Sequence, residues 1–123
     1  MNRKLYLARS TRIAARKLGE AFGERHRVDR ADRDGMTLAL ESALSEHGFE
    51  PWHDDAGVVR MRNCPFRRLA EPQPGVVCYM NLALVQGLII GLGADNLRPV
   101  LARDREGCCV DIPAVSQDTD GAT

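Results

Sequence analysis

Four cysteines are the residues of this chain best suited to chemistry. Cys64 stands in "RNCPFRR", Cys78 opens the apolar part of "GVVCYMN", and Cys108 and Cys109 are adjacent in "REGCCVDI". A thiolate is a nucleophile and a soft metal ligand, so cysteines that converge can hold zinc or an iron–sulfur cluster. Pro65, after Cys64, lacks an amide donor and stiffens the loop there. A helix with Cys78 in its first turn would lower that thiol's pKa through its partial positive charge. Three places therefore stand to meet: a strand end at Cys64, a helix start at Cys78 and a strand start at Cys108. The spacing is wide, and no CxxC knuckle is present. In a strand, Cys108 would share a face with Val110 and Ile112, and Cys109 with Asp111, so both rarely reach one mononuclear metal. The competing reading is four small apolar residues scattered through a core.

Three histidines could complete such a site. His53, close to the Cys64 strand, is the best placed, whereas His47 suits a helix C-terminus favoured by the dipole. Trp52, Phe66 and Tyr79 could line an apolar pocket for a small molecule, or simply fill the core. No nucleophile–base pair, phosphate loop or acid pair stands out, so the expectation is a protein that is not an enzyme. Asp54 and Asp55 read as turn residues.

These side chains must be positioned by a coarse α+β pattern. Residues 3 to 24 carry an amphipathic helix, with Ser10 or Thr11 as N-cap and Gly23 as its end. Its arginines and lysines suit either a solvated face or a DNA-backbone contact. A polar connector, "RVDRADRDG", leads to a second helix carrying Met36, Leu40 and Leu44, which Gly48 ends. Residues 49 to 63 form a β-hairpin around "DDAG", with Pro51 at an edge. After a proline-rich loop, "VVCYMNLALVQGLIIGLG" is a helix apolar on nearly every side, which in a chain this short calls for a second subunit as cover. Gly87 and Gly91, four apart, would admit another backbone. A second hairpin follows, through "DREG" to "CCVDI". The expected fold is helix, helix, hairpin, helix, hairpin, with one antiparallel four-stranded sheet, in a homodimer. The expected organisation is an N-terminal helix and connector over 1–34, an α+β domain over 35–113 and a disordered tail over 114–123.

The bulk numbers fit one small domain. Seventeen basic residues balance seventeen acidic ones, which gives no general reason to expect nucleic acid or an anionic membrane as partner. Aromatics at 5% argue against a base-stacking platform. No secretory signal or convincing membrane span is visible, so the cytoplasm is the expected location, where clustered thiols more often mean metal or redox chemistry than disulfides.

Taken together, "HGFEPW", "VVRMRNCPFRRLA", "VVCYMNLALVQGLIIGLG" and "LRPVLARDREGCCVDI" resemble the C-terminal effector domain of SufR-like bacterial winged-helix transcriptional regulators, repressors of iron–sulfur cluster assembly. The resemblance covers residues 36 to 112. It implies a dimer holding an iron–sulfur cluster on Cys64, Cys78 and Cys108, with Cys109 as substitute if the register differs by one. Three thiolates leave a fourth position open, as suits a labile sensor. Zinc, or a small ligand without metal, is the alternative among such relatives. The winged helix of that family has no counterpart here, so the resemblance implies DNA contact only through a separate domain.

Overall fold

The computed structural model describes residues 3–27, 33–64, 74–94, 96–102 and 110–113. In chain order these form α1 (Arg3–Arg25), α2 (Arg33–Glu46), β1 (Pro51–His53), β2 (Val59–Met61), α3 (Pro74–Leu92), β3 (Val100–Leu101) and β4 (Val110–Asp111). The tail, 114–123, lies outside the described residues.

α1 begins well before the expected cap. Ser10 and Thr11 lie inside it, because the flanking leucines, alanines and arginines are strong helix formers that outweigh two hydroxyl residues. Gly23 does not end it either; the last turn closes through His26 N–H to the Gly23 carbonyl at 3.0 Å. α2 does end as expected. Gly48 takes φ 93°, and Phe49 N–H reaches back to the Leu44 carbonyl at 3.1 Å. α3 ends in the same way, with Gly93 at φ 77° and Ala94 N–H donating to the Ile89 carbonyl at 3.1 Å. Both are left-handed caps that satisfy orphaned helix carbonyls, and glycine accepts that φ without a Cβ clash.

The core is built from α2, α3 and the strands. Leu40, Ala43 and Leu44 of α2, Val85, Leu88 and Leu92 of α3, and Val59, Val110 and Ile112 are all within 1% of complete burial. Each large aliphatic side chain so buried contributes about 1.5–3 kcal/mol. α3 is apolar all round because it is covered from several directions. α1 lies along it in parallel, and the seam is made of small residues: Ala15, Gly19 and Gly23 against Ala83, Gly87 and Gly91. A Cβ built at Gly87 would sit 2.0 Å from the Arg16 carbonyl oxygen, and one at Gly19 2.0 Å from that of Leu84. The backbone that approaches Gly87 and Gly91 is thus α1 of the same chain. Ala15 joins the common core, so the 1–34 segment shares that core with residues 35–113.

The expected four-stranded sheet is corrected. β1 pairs with β2 and β3 with β4 as two separate two-stranded antiparallel sheets. They touch through one isolated antiparallel bridge, Val59 to Ile112, with backbone bonds of 3.1 and 2.8 Å. One rung is not a sheet. Strands of two or three residues offer few rungs; Pro113, whose carbonyl accepts from Arg98 N–H at 3.1 Å, faces β3 and has no N–H to lengthen the β3–β4 ladder.

Candidate functional site

Cys64 follows β2 by three residues, is half-buried and packs against the core. Cys78 is also half-buried and is the fifth residue of α3. It therefore lies beyond the four residues whose amide protons are unpaired at a helix start, so the dipole argument for a thiolate there loses most of its force. The Val59–Ile112 bridge is antiparallel, so the start of β4 points toward the end of β2, from which the chain leads on to Cys64. Cys108 and Cys109 immediately precede Val110 and lie outside the described residues, as does Phe66. Among the described residues alone, no group of three His, Cys, Asp or Glu side chains is placed to hold a metal ion. The two thiols that are described are soft donors, suited to iron or zinc.

The structure does not bring His53 to Cys64. His53 pairs with Val59 at the turn end of the first hairpin, whereas Cys64 leaves the open end. Five residues of extended chain would span roughly 16 Å. The exposed His53 ring instead meets Glu41, Nδ1 to Oε2, at 3.2 Å.

Trp52 and Tyr79 are likewise apart. Trp52 lies on β1 with the Arg62 guanidinium 5.4 Å from its ring centre. Tyr79 lies on α3, is 44% exposed, and has the Arg12 guanidinium 6.0 Å from its ring centre. It lines a groove between α1 and α3 in which Trp52 has no part.

Two arrangements were not foreseen from the residues. Arg60 binds two carboxylates at once. Its Nε and Nη2 donate to Asp54 Oδ2 at 3.1 and 2.8 Å, and its Nη1 donates to Asp111 Oδ2 at 2.7 Å. Asp54 Oδ1 accepts from the Ala56 and Val58 amides, both at 3.0 Å. The Val58 amide and then the Arg60 guanidinium hold the Asp54 carboxyl below its ordinary value, and Asp54 in turn raises Arg60. This network ties the first turn to β4 across the sheet boundary. The partnership is hidden in the sequence because Asp111 is fifty-one residues from Arg60.

The second arrangement is His47, stacked on Phe22 with ring centres 3.5 Å apart. Its Nε2 is buried and has no hydrogen-bond partner among the described residues. Burial lowers its pKa, against the opposing pull of Glu46. His47 closes one side of an apolar cavity of about 430 Å³ beside the seam, lined also by Thr11, Ala14, Leu18, Phe22 and Met80. The helix C-terminal position expected for His47 is correct, but its ring faces α1 instead of serving the dipole.

Compared with protein-family models, curated proteins and solved structures, the chain matches none of them. No helix among the described residues is long and apolar enough to cross a membrane.

Proposed function

We propose that this chain is a sensory and dimerisation domain of a transcriptional regulator, holding an iron–sulfur cluster on Cys64, Cys78 and the Cys108–Cys109 pair. The supporting observation is the placement of two half-buried thiols, one three residues beyond β2 and the other in the second turn of α3. The antiparallel bridge adds to it, because the strand that follows Cys109 runs beside β2. His53 has no part in the ligand set.

When bound, the group supplies a crosslink whose integrity depends on redox state and iron supply. Cys64 and Cys78 are the residues that would tie the hairpin to the start of α3. α3 is in turn locked to α1 by the glycine seam, which has no slack for independent movement. A shift at the thiols therefore becomes a shift of the α1–α3 pair, the kind of rigid-body change that alters how attached domains are presented. Duplex operator DNA is read through a separate winged-helix domain, in a homodimer.

The test is anaerobic preparation of the chain with iron, acid-labile sulfide and zinc measured per protomer. Iron with matching sulfide is expected, together with loss of visible absorbance in both Cys64→Ser and Cys78→Ser. Full colour retained in both variants sinks the proposal. Zinc alone, without sulfide, would assign the thiols to a structural zinc module.

A further inference from the structure

The overall charge of this chain is zero, yet one of its faces is basic. On the side of the α1–α3 seam away from His47 runs a groove of about 340 Å³, lined by Arg9, Arg12, Ile13, Arg16, Tyr79 and Gln86 among others. Arg16 and Gln86 also line the next stretch, of about 480 Å³, which adds Ile90, Arg98 and Pro99. The two adjoining stretches, which share Arg16 and Gln86, form a shallow trough carrying four guanidinium groups, and no carboxylate occurs among its described lining residues.

Elsewhere, Arg25 is paired with Glu46, and Arg60 with Asp54 and Asp111, while Arg62 lies over the Trp52 ring. Arg9, Arg12, Arg16 and Arg98 have no salt bridge to a described residue. Positions 9, 12 and 16 fall on one helix face and rise about 10 Å along it. The row is therefore longer than one small anion, and none of its guanidinium groups has a carboxylate within salt-bridge distance among the described residues. Guanidinium groups carry planar, forked donors that fit phosphate oxygens. The 44% exposed Tyr79 ring lies in the same trough, with Arg12 beside it, and the exposed Gln86 amide sits where the two stretches join.

We propose that this trough binds single-stranded nucleic acid, the four arginines taking successive phosphates while a base stacks against the Tyr79–Arg12 pair. A basic groove that tracks a backbone beside an aromatic platform is the arrangement that single strands require. An acidic peptide would use the arginines but has no need of the ring, and a duplex keeps its bases stacked on one another. The proposal uses none of the cysteines and stands or falls apart from the metal reading.

The experiment is fluorescence anisotropy of a short labelled oligothymidylate titrated with the full chain at several salt concentrations. Four neutralised phosphates predict a slope of log affinity on log salt of about −2.8, or roughly a fifty-fold loss between about 50 and 200 mM salt. The paired variant Arg12→Glu with Arg16→Glu is expected to lower affinity by tenfold or more. Arg12→Gln with Arg16→Gln should weaken binding less and flatten the slope by about 1.4. Tyr79→Ala should weaken binding at an unchanged slope, and Arg25→Glu, away from the trough, should leave it alone. Circular dichroism of each variant verifies the helices. The proposal is overturned by no binding at about 50 mM salt, or by equal binding in the Arg12/Arg16 variants. Tighter binding of a duplex of the same length, or equal competition by polyglutamate, overturns it too. So does a change of oligomeric state in the charge-reversed variant, which would assign the trough to a second copy.

Discussion

The seam between α1 and α3 makes a prediction opposite to what helix propensity suggests. Replacing glycine by alanine inside a helix ordinarily stabilises it by up to about 1 kcal/mol. At Gly87 the new methyl carbon would stand 2.0 Å from the Arg16 carbonyl oxygen, about 1.4 Å short of an ordinary 3.4 Å contact. The obstacle is backbone, and α1 cannot turn a rotamer to make room. Either the helices separate along the whole seam or one of them bends, and both open the small-residue packing around Ala15 and Ala83. Overpacking of this kind costs about 1–3 kcal/mol, occasionally more. Set against the propensity gain, Gly87→Ala is expected to lose about 1–2 kcal/mol net. In a domain of this size that lowers Tm by roughly 3–12 °C. The assay is thermal unfolding followed by far-ultraviolet circular dichroism. Gly19→Ala, which meets the Leu84 carbonyl oxygen at 2.0 Å, should behave alike. The double variant should cost less than the sum, because helices already pushed apart by the first methyl accommodate the second. An unchanged or raised Tm for Gly87→Ala, or strict additivity in the double variant, would refute the close-packed seam.

Two further outcomes follow from the polar groups. His47 has its pKa lowered below the ordinary 6.5, first by burial, so the unfolded chain takes up the proton more readily. Its contribution to stability is present above pH 6.5 and declines as pH falls below that value toward the folded pKa. His47→Phe keeps a ring against Phe22 and should flatten the urea midpoint over that window without loss at pH 7; an unaltered pH profile would remove His47 as its cause. Arg60→Gln breaks the double hold on Asp54 and Asp111, and faster amide exchange at Val59 and Ile112 is expected, with the helices intact. Acid should act likewise: the depressed Asp54 carboxylate keeps the tie above its ordinary 3.8 and loses it as pH falls through the lower folded value. Unchanged protection in the variant would show that the backbone bridge alone holds the two sheets together.

Local chemistry was legible in the residues, and partnership was not. Gly48 and the "DDAG" turn could be read because their causes lie within five residues: a left-handed cap, and an Asp that bonds amides two and four positions on. The all-round apolarity of α3 was visible too, and so was the need for a close neighbour at Gly87 and Gly91. The identity of that neighbour was hidden, because Gly19 and Gly23 look like flexible or terminating residues until a second helix is laid against them. Pairing of the four strands into one sheet followed from counting strands, whereas the outcome depended on their shortness, which leaves a single bridge between β2 and Ile112. At the candidate site, Cys64 follows β2, whereas Cys78 lies one turn deeper in α3 than expected, because the helix already begins at Pro74. His53 was misplaced because nearness in sequence across a hairpin is not nearness to its open end. The basic face of α1 was legible as a candidate DNA-backbone contact, but its companions Tyr79 and Arg98 were not, because they lie more than sixty residues further along the chain.

The parallel run of α1 and α3 has a consequence for how the protein is made. About seventy residues separate the two halves of the seam, so during synthesis α1 leaves the ribosome some 4–14 s before its counterpart exists. Through that interval the seam stripe offers Ala15, Gly19 and Gly23, residues with almost no apolar surface, and Leu18 and Phe22 beside it present large apolar side chains to a wrong partner. The stripe that later lets two backbones touch is, until then, among the least adhesive a helix can carry.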